Sequence, residues 1–127
     1  MKSINLAATE TTPGIIMDSE RDEIKISGRS IIDEVKTFYE PILEWLELYV
    51  NQKKEKTTIE FKFDYLSTAT SKIMIQMLHK LEELKNIGSD VQVKWYYSND
   101  DQDILETGEI FSELVKLPFE CIGYELV

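Results

Sequence analysis

The segment FDYLSTATSK, Phe63 to Lys72, carries four hydroxyl side chains, Ser67, Thr68, Thr70 and Ser71, where an alternating apolar pattern gives way to a helical one. Two kinds of chemistry suit such a junction. A hydroxyl can cap the helix by accepting a hydrogen bond from a first-turn N–H, with Thr68 one candidate for that role. It can also accept a phosphoryl group, because the free amides of a helix N-terminus tolerate a dianion of about -1.5 to -2 charges. Nucleophilic catalysis is disfavoured: a base must lie within hydrogen-bond reach, and the single histidine, His79, falls about three turns further along the helix. LSTATSK contains no glycine with which to wrap a phosphate chain, so it is no P-loop.

Metal and cofactor chemistry find little support. One Cys and one His cannot build a zinc site. Asp100, Asp101 and Asp103 lack the glycine and glutamate of an EF-hand loop and read as a solvated, acidic helix start. Asp64 at the end of FKF could accept phosphate as in a receiver domain. That chemistry needs a paired acid and a lysine after a later strand, whereas Asp18 is single and Lys94 lies within its strand. Cys121, in PFECIGY, reads as a packed or partly exposed thiol. No cofactor and no metal is expected.

The elements that position the junction follow from periodicity. Residues 1–12 are small and polar and are expected to be mobile as far as Pro13. GIIMD and EIKISG read as a hairpin, ended by Gly28. From Ser30, a possible N-cap, Ile31, Val35, Phe38, Ile42, Trp45, Leu46 and Tyr49 recur at helical spacing, and Pro41 predicts a kink near Thr37 to Pro41 or a break. TTIEFKFDY alternates Ile59, Phe61 and Phe63 with Glu60, Lys62 and Asp64, a strand with one buried face. Ile73, Met77, Leu81 and Leu84 mark the next helix, which Gly88 ends. DVQVKWYY is a strand with Trp95 in the core; an acidic loop and helix follow, then FECIGYEL as the last strand. The order ββαβαβαβ predicts an α/β fold, a mixed sheet covered by helices, in one domain over residues 1–127.

Asp and Glu outnumber Lys and Arg by 24 to 14, a net charge of -10, which argues against nucleic acid or an anionic membrane as partner. Lys53, Lys54 and Lys56 are interrupted by Glu55 and read as a solvated turn. The opening MKSINLAATETTPG lacks a signal-peptide core and no apolar run approaches the ~20 residues of a membrane span, so a cytoplasmic location is expected.

The segments TTPGIIMD, ISGRSIIDEVKTFYEPILEWLELYV, FKFDYLSTATSKIMIQML, VQVKWYYSNDDQDILETGEIF and LPFECI, in this order, resemble the SiaC family of bacterial regulatory phosphoproteins. That family resembles in fold the STAS-type anti-sigma-factor antagonists. Its junction reads approximately Y-F/L-N-T-S-S-x-K, and the phosphoacceptor threonine falls on Thr68, with Tyr65, Ser67, Thr70, Ser71 and Lys72 around it; Ser67 stands in place of asparagine and Ala69 in place of a hydroxyl residue. The family's G-x-S-x-P-E-N segment appears as Gly28, Arg29, Ser30, Ile31, Ile32, Asp33 and Glu34, a possible partner contact. Asp33 and Glu34 also suit the first turn of a helix.

The resemblance implies a non-enzymatic partner switch. A protein kinase phosphorylates Thr68, a PP2C-type phosphatase removes the phosphate, and the unmodified form binds and activates a target such as a diguanylate cyclase. Two other readings stand beside it: a STAS-like antagonist that binds an anti-sigma kinase, and a receiver-like phosphoacceptor or small hydrolase using Asp64.

Overall fold

The computed structural model describes residues 1–126, and among them the order is β1 (Ile4–Leu6), β2 (Gly14–Asp18), β3 (Glu23–Ser30), α1 (Val35–Val50), β4 (Lys56–Leu66), α2 (Thr68–Asn86), β5 (Asp90–Ser98), α3 (Gln102–Leu114) and β6 (Phe119–Tyr124). The strands form one sheet in which spatial order follows chain order. β1, β2 and β3 are antiparallel, while β3 to β6 run parallel. The mixed α/β architecture expected from periodicity is met, with one strand added at its start. β1 is the short run INL, with Ile4 paired to Met17. Three residues are too few for alternation to stand out, and pairing with β2 makes the strand.

Each parallel crossover advances by one strand in the same direction, and crossovers of one hand then place every helix on the same face. Burial is correspondingly one-sided. In β4, Ile59, Phe61 and Phe63 are buried while Lys62 and Asp64 are exposed; β5 buries Val91, Val93 and Trp95. On the uncovered face, the register aligns Lys25, Glu60, Lys94 and Glu120 across four strands, a row of alternating charge that keeps this surface solvated.

Expectations around Gly28 and the start of the first helix need correction. Gly28 does not end its strand: it takes φ 96°, the pairing shifts between Gly28 and Arg29, and β3 continues with Arg29 opposite Tyr65 and Ser30 opposite Leu66. Ser30 is therefore a buried strand residue and not an N-cap. α1 begins at Val35 with Glu34 as N-cap, so Asp33 and Glu34 precede its first turn, and it runs unbroken through Pro41. α2 ends as Gly88 predicted: with φ 95°, Gly88 donates its N–H to Lys85 and Ser89 donates to Leu84, closing the helix in a Schellman motif.

Trp95 is the centre of the core, fully buried among Phe61, Phe63, Phe111 and Phe119, with Nε1 donating to the Ile104 carbonyl at 2.9 Å. α3 reaches it only because residue 108 is glycine. A Cβ there would lie 2.4 Å from Trp95 Cδ1. Trp95→Ala should cost about 3–5 kcal/mol of stability. Gly108→Ala should cost about 1–3 kcal/mol by overpacking against the same ring. Thermal and urea unfolding check both, and an unchanged midpoint for either variant would contradict this packing.

Candidate functional site

The four hydroxyls between β4 and α2 divide into separate roles. Ser67, extended at φ -73° and ψ 164°, is the N-cap, and its Oγ accepts the Thr70 N–H at 3.1 Å. Capping thus falls to Ser67 and leaves Thr68 as the first residue of the helix. Thr70 is fully buried. Its Oγ1 lies 2.7 Å from Ser30 Oγ and 3.0 Å from Ser67 Oγ, and it donates to the Ser30 carbonyl at 3.3 Å. Ser30 Oγ in turn lies 2.9 Å from the hydroxyl of Tyr39 on α1. Ser71 is half-buried, with its N–H donated to the Ser67 carbonyl.

One proton arrangement satisfies every member of this line. Tyr39 donates to Ser30, Ser30 and Ser67 donate to Thr70, and Thr70 donates to the Ser30 carbonyl, which also accepts the Ser67 N–H at 3.0 Å. Three elements are tied together where β3 and β4 end. Burial pushes the Tyr39 phenol up to about 12.

Thr68 differs from its neighbours. Its side chain is exposed, and among the described residues its hydroxyl has no hydrogen-bond partner. Lys72, also exposed, follows one turn later on the same face of α2. The fold brings the two segments singled out in the sequence to one place: Arg29 pairs with Tyr65 in register, with its guanidinium 5.9 Å from the ring centroid, and Tyr65 is 49% exposed. The pairing passes from Gly28 opposite Phe63 to Arg29 opposite Tyr65, so β4 carries the extra residue, Asp64, and Arg29 and Ser30 extend beside it. Asp33 and Glu34 stand apart, exposed on the connection between β3 and α1.

Tyr39 was missed. Phe38 was read as the inward residue of that turn, yet Phe38 is half-buried and Tyr39 is fully buried. The signal was present: Tyr39, Ile42, Leu46 and Tyr49 recur at intervals of three, four and three.

Other chemistry gains little. His79 is exposed and bonded to Glu82, away from Thr68. Asp64 shares a shallow depression of about 320 Å³ with Asp100 and Asp101, but among the described residues no three His, Cys, Asp or Glu side chains are placed to hold a metal ion. Burial, with Glu109 nearby, raises the Cys121 thiol above its ordinary range and keeps it protonated.

Comparison with known proteins decides the family. The profile of the SiaC family regulatory phosphoproteins matches residues 6–124. The chain belongs to the SiaC family. An uncharacterised protein of Pseudomonas aeruginosa is 24% identical over 125 residues, covering 98% of this chain and 99% of its own length. SiaC of Pseudomonas aeruginosa superposes with a TM-score of 0.89 at 23% identity, covering 98% of this chain and all of that one. The crystal structure of the diguanylate cyclase SiaD in complex with its activator SiaC, from the same bacterium, contains a chain that matches equally well, with a TM-score of 0.89, 23% identity and 95% and 99% coverage. The SiaC fold is thus shared over essentially the whole chain.

The hydroxyl line makes two measurable demands. Thr70→Val, which keeps the shape but removes the hydroxyl, should cost about 1–3 kcal/mol by leaving buried partners unsatisfied. Thr68→Val should stay within about 0.5 kcal/mol at its exposed position. Equal urea midpoints for the two variants would contradict the division of roles. Tyr39 adds a pH dependence: its folded value lies above the unfolded one, so its contribution is intact below pH 10 and is lost as pH rises towards about 12. Tyr39→Phe should flatten that decline, as read by denaturation at pH values spanning the window.

Proposed function

We propose that the whole chain acts as one non-catalytic regulatory domain, switched by phosphorylation of Thr68, whose unmodified form binds and activates a diguanylate cyclase. The observation that carries this reading is the contrast within the junction. Ser67 and Thr70 are committed to the cap and the buried network, whereas Thr68 is exposed and, among the described residues, unbonded on the first turn of α2. A kinase can reach Thr68 without unfolding anything. The product phosphate would meet the free N–H groups of that turn and the Lys72 ammonium.

A partner protein kinase adds the phosphate and a PP2C-type phosphatase removes it. The exchange takes place in the cytoplasm, a placement compatible with the finding that no helix among the described residues is long and apolar enough to cross a membrane. Tyr65, three residues before the acceptor and paired with Arg29, and Lys72, four residues after it, form the surface that these enzymes and the target read in turn. The target class is supported by the complex of the relative SiaC with the cyclase SiaD. A dianion placed in a desolvated interface loses hydration, and a penalty of about 3 kcal/mol weakens binding more than a hundredfold.

Thr68→Ala should fold, resist phosphorylation there and retain target binding. The stoichiometrically phosphorylated protein should lose binding by roughly a hundredfold, with Thr68→Glu between the two because one charge only partly mimics a dianion. Titration against a purified diguanylate cyclase of the same organism, with circular dichroism to control for folding, checks all three. Equal affinities for unmodified and phosphorylated protein would end the switch reading.

A further inference from the structure

The helix-free face of the sheet holds a cavity of about 470 Å³ beside the N-terminal segment. Its floor follows from the strand register. Asn5, Ile16, Lys25 and Glu60 lie side by side in one row across β1 to β4, and Gly14, Ser27 and Lys62 form the next row across β2 to β4. The glycine and the serine of the second row leave a hollow among longer side chains. Its wall is the chain that joins β1 to β2. The Thr9 N–H donates to the Thr12 carbonyl and the Thr12 N–H to Thr9 Oγ1, both at 2.9 Å, which turns the chain back towards Gly14. The Thr11 carbonyl then accepts the Ile31 N–H at 3.0 Å. This holds Ala8 against the corner of the sheet, where a Cβ on either Gly14 or Gly28 would lie 3.6 Å from the Ala8 methyl.

The lining has two characters. Leu6 and Ile16, each 42% exposed, join Ala8 in an apolar end. The remainder is rich in donors that the chain itself does not use. Lys25 approaches Glu60 only to 3.9 Å, and the Lys62 ammonium rests 4.6 Å from the Tyr124 ring centroid. Among the described residues neither ammonium donates a hydrogen bond, and the hydroxyls of Ser27 and Tyr96 are likewise unbonded. Lys25 and Lys62 against Glu60 leave the lining with one net positive charge, in a chain whose total is -10. We propose that this cavity binds a small monocarboxylate with an apolar body. The carboxylate accepts hydrogen bonds from Lys25 and from the neighbouring hydroxyls, while the body covers Leu6, Ala8 and Ile16. A dianionic head would bring a second charge against Glu60 without a cation to match it, and a cationic head would face two ammonium groups. The volume lies within the range of about 300–1,000 Å³ usual for small-molecule sites. Because α1 and α2 cover the opposite face, this ligand and the hydroxyl of Thr68 do not compete for space.

The test titrates the full-length, ¹⁵N-labelled chain with octanoate, octyl phosphate and octylammonium, which share one tail and differ in the head. Octanoate should produce saturable amide shifts centred on Leu6, Ala8, Ile16 and Lys25, and should bind roughly tenfold more tightly than either of the others. Lys25→Gln should weaken octanoate by roughly tenfold, whereas Lys36→Gln, which removes the same charge from α1, should leave its affinity unchanged. Ile16→Gln, at a partly exposed position, should weaken octanoate and octylammonium alike by removing part of the apolar end. Urea unfolding of each variant separates loss of the site from loss of the fold. The absence of saturable shifts, shifts centred elsewhere, or equal affinities for octanoate and octylammonium would overturn the proposal. So would octyl phosphate binding more tightly than octanoate, or a folded Lys25→Gln variant that binds octanoate as the unsubstituted chain does.

Discussion

The hydroxyl of Thr70 is the contact on which the upper end of the molecule depends. It sits fully buried where β3, α1 and α2 meet, bonded to Ser30 and, through Ser30, to Tyr39. Polar groups at such depth are stable only when each finds its partners, and a satisfied network of this kind admits few alternative arrangements. The first turn of α2 is therefore held at one height and rotation relative to the sheet. Thr68 on that turn and Lys72 one turn later inherit their positions from a side chain that solvent never reaches.

A second constraint comes from topology. A sheet whose parallel strands are laid down in order receives its helices on one face, and the other must be made compatible with water by its own side chains. The row Lys25, Glu60, Lys94 and Glu120 does this with compensated charge. Most of the net charge of -10 is then carried elsewhere, and part of it lines the outer surfaces of α1 and α2. An acidic surface of this kind suits a protein partner better than a polyanion.

A phosphoswitch at this junction, as proposed, would place two demands on it that could conflict. A regulated hydroxyl must be accessible and chemically idle, while the start of a helix needs its free N–H groups satisfied. Ser67 answers the second demand as N-cap and leaves Thr68 idle on the surface. The two roles are separated by a single peptide unit. The proposed dianion on Thr68 would add charge beside amides that favour it, so that recognition could change while the fold persists.

The sequence by itself determined the alternation of Ile59, Phe61 and Phe63, the stripe of α2, the stop at Gly88 and the burial of Trp95, because period and glycine conformation are local properties. It also located the hydroxyl junction and, through the motif around Tyr65, Thr68 and Lys72, the family. What only tertiary structure decided was the role of each hydroxyl. Ser30 looked like a helix cap because a serine before an apolar period usually is one, but β3 runs on past the register shift after Gly28 and carries it into the sheet opposite Leu66 instead. β1 owes its existence to pairing with β2, and Tyr39 and Thr70 owe their meeting to the packing of α1 and α2 around the end of β3. Contacts between residues nine and forty positions apart leave no periodic trace in a chain, since they follow from how elements pack and not from how residues repeat.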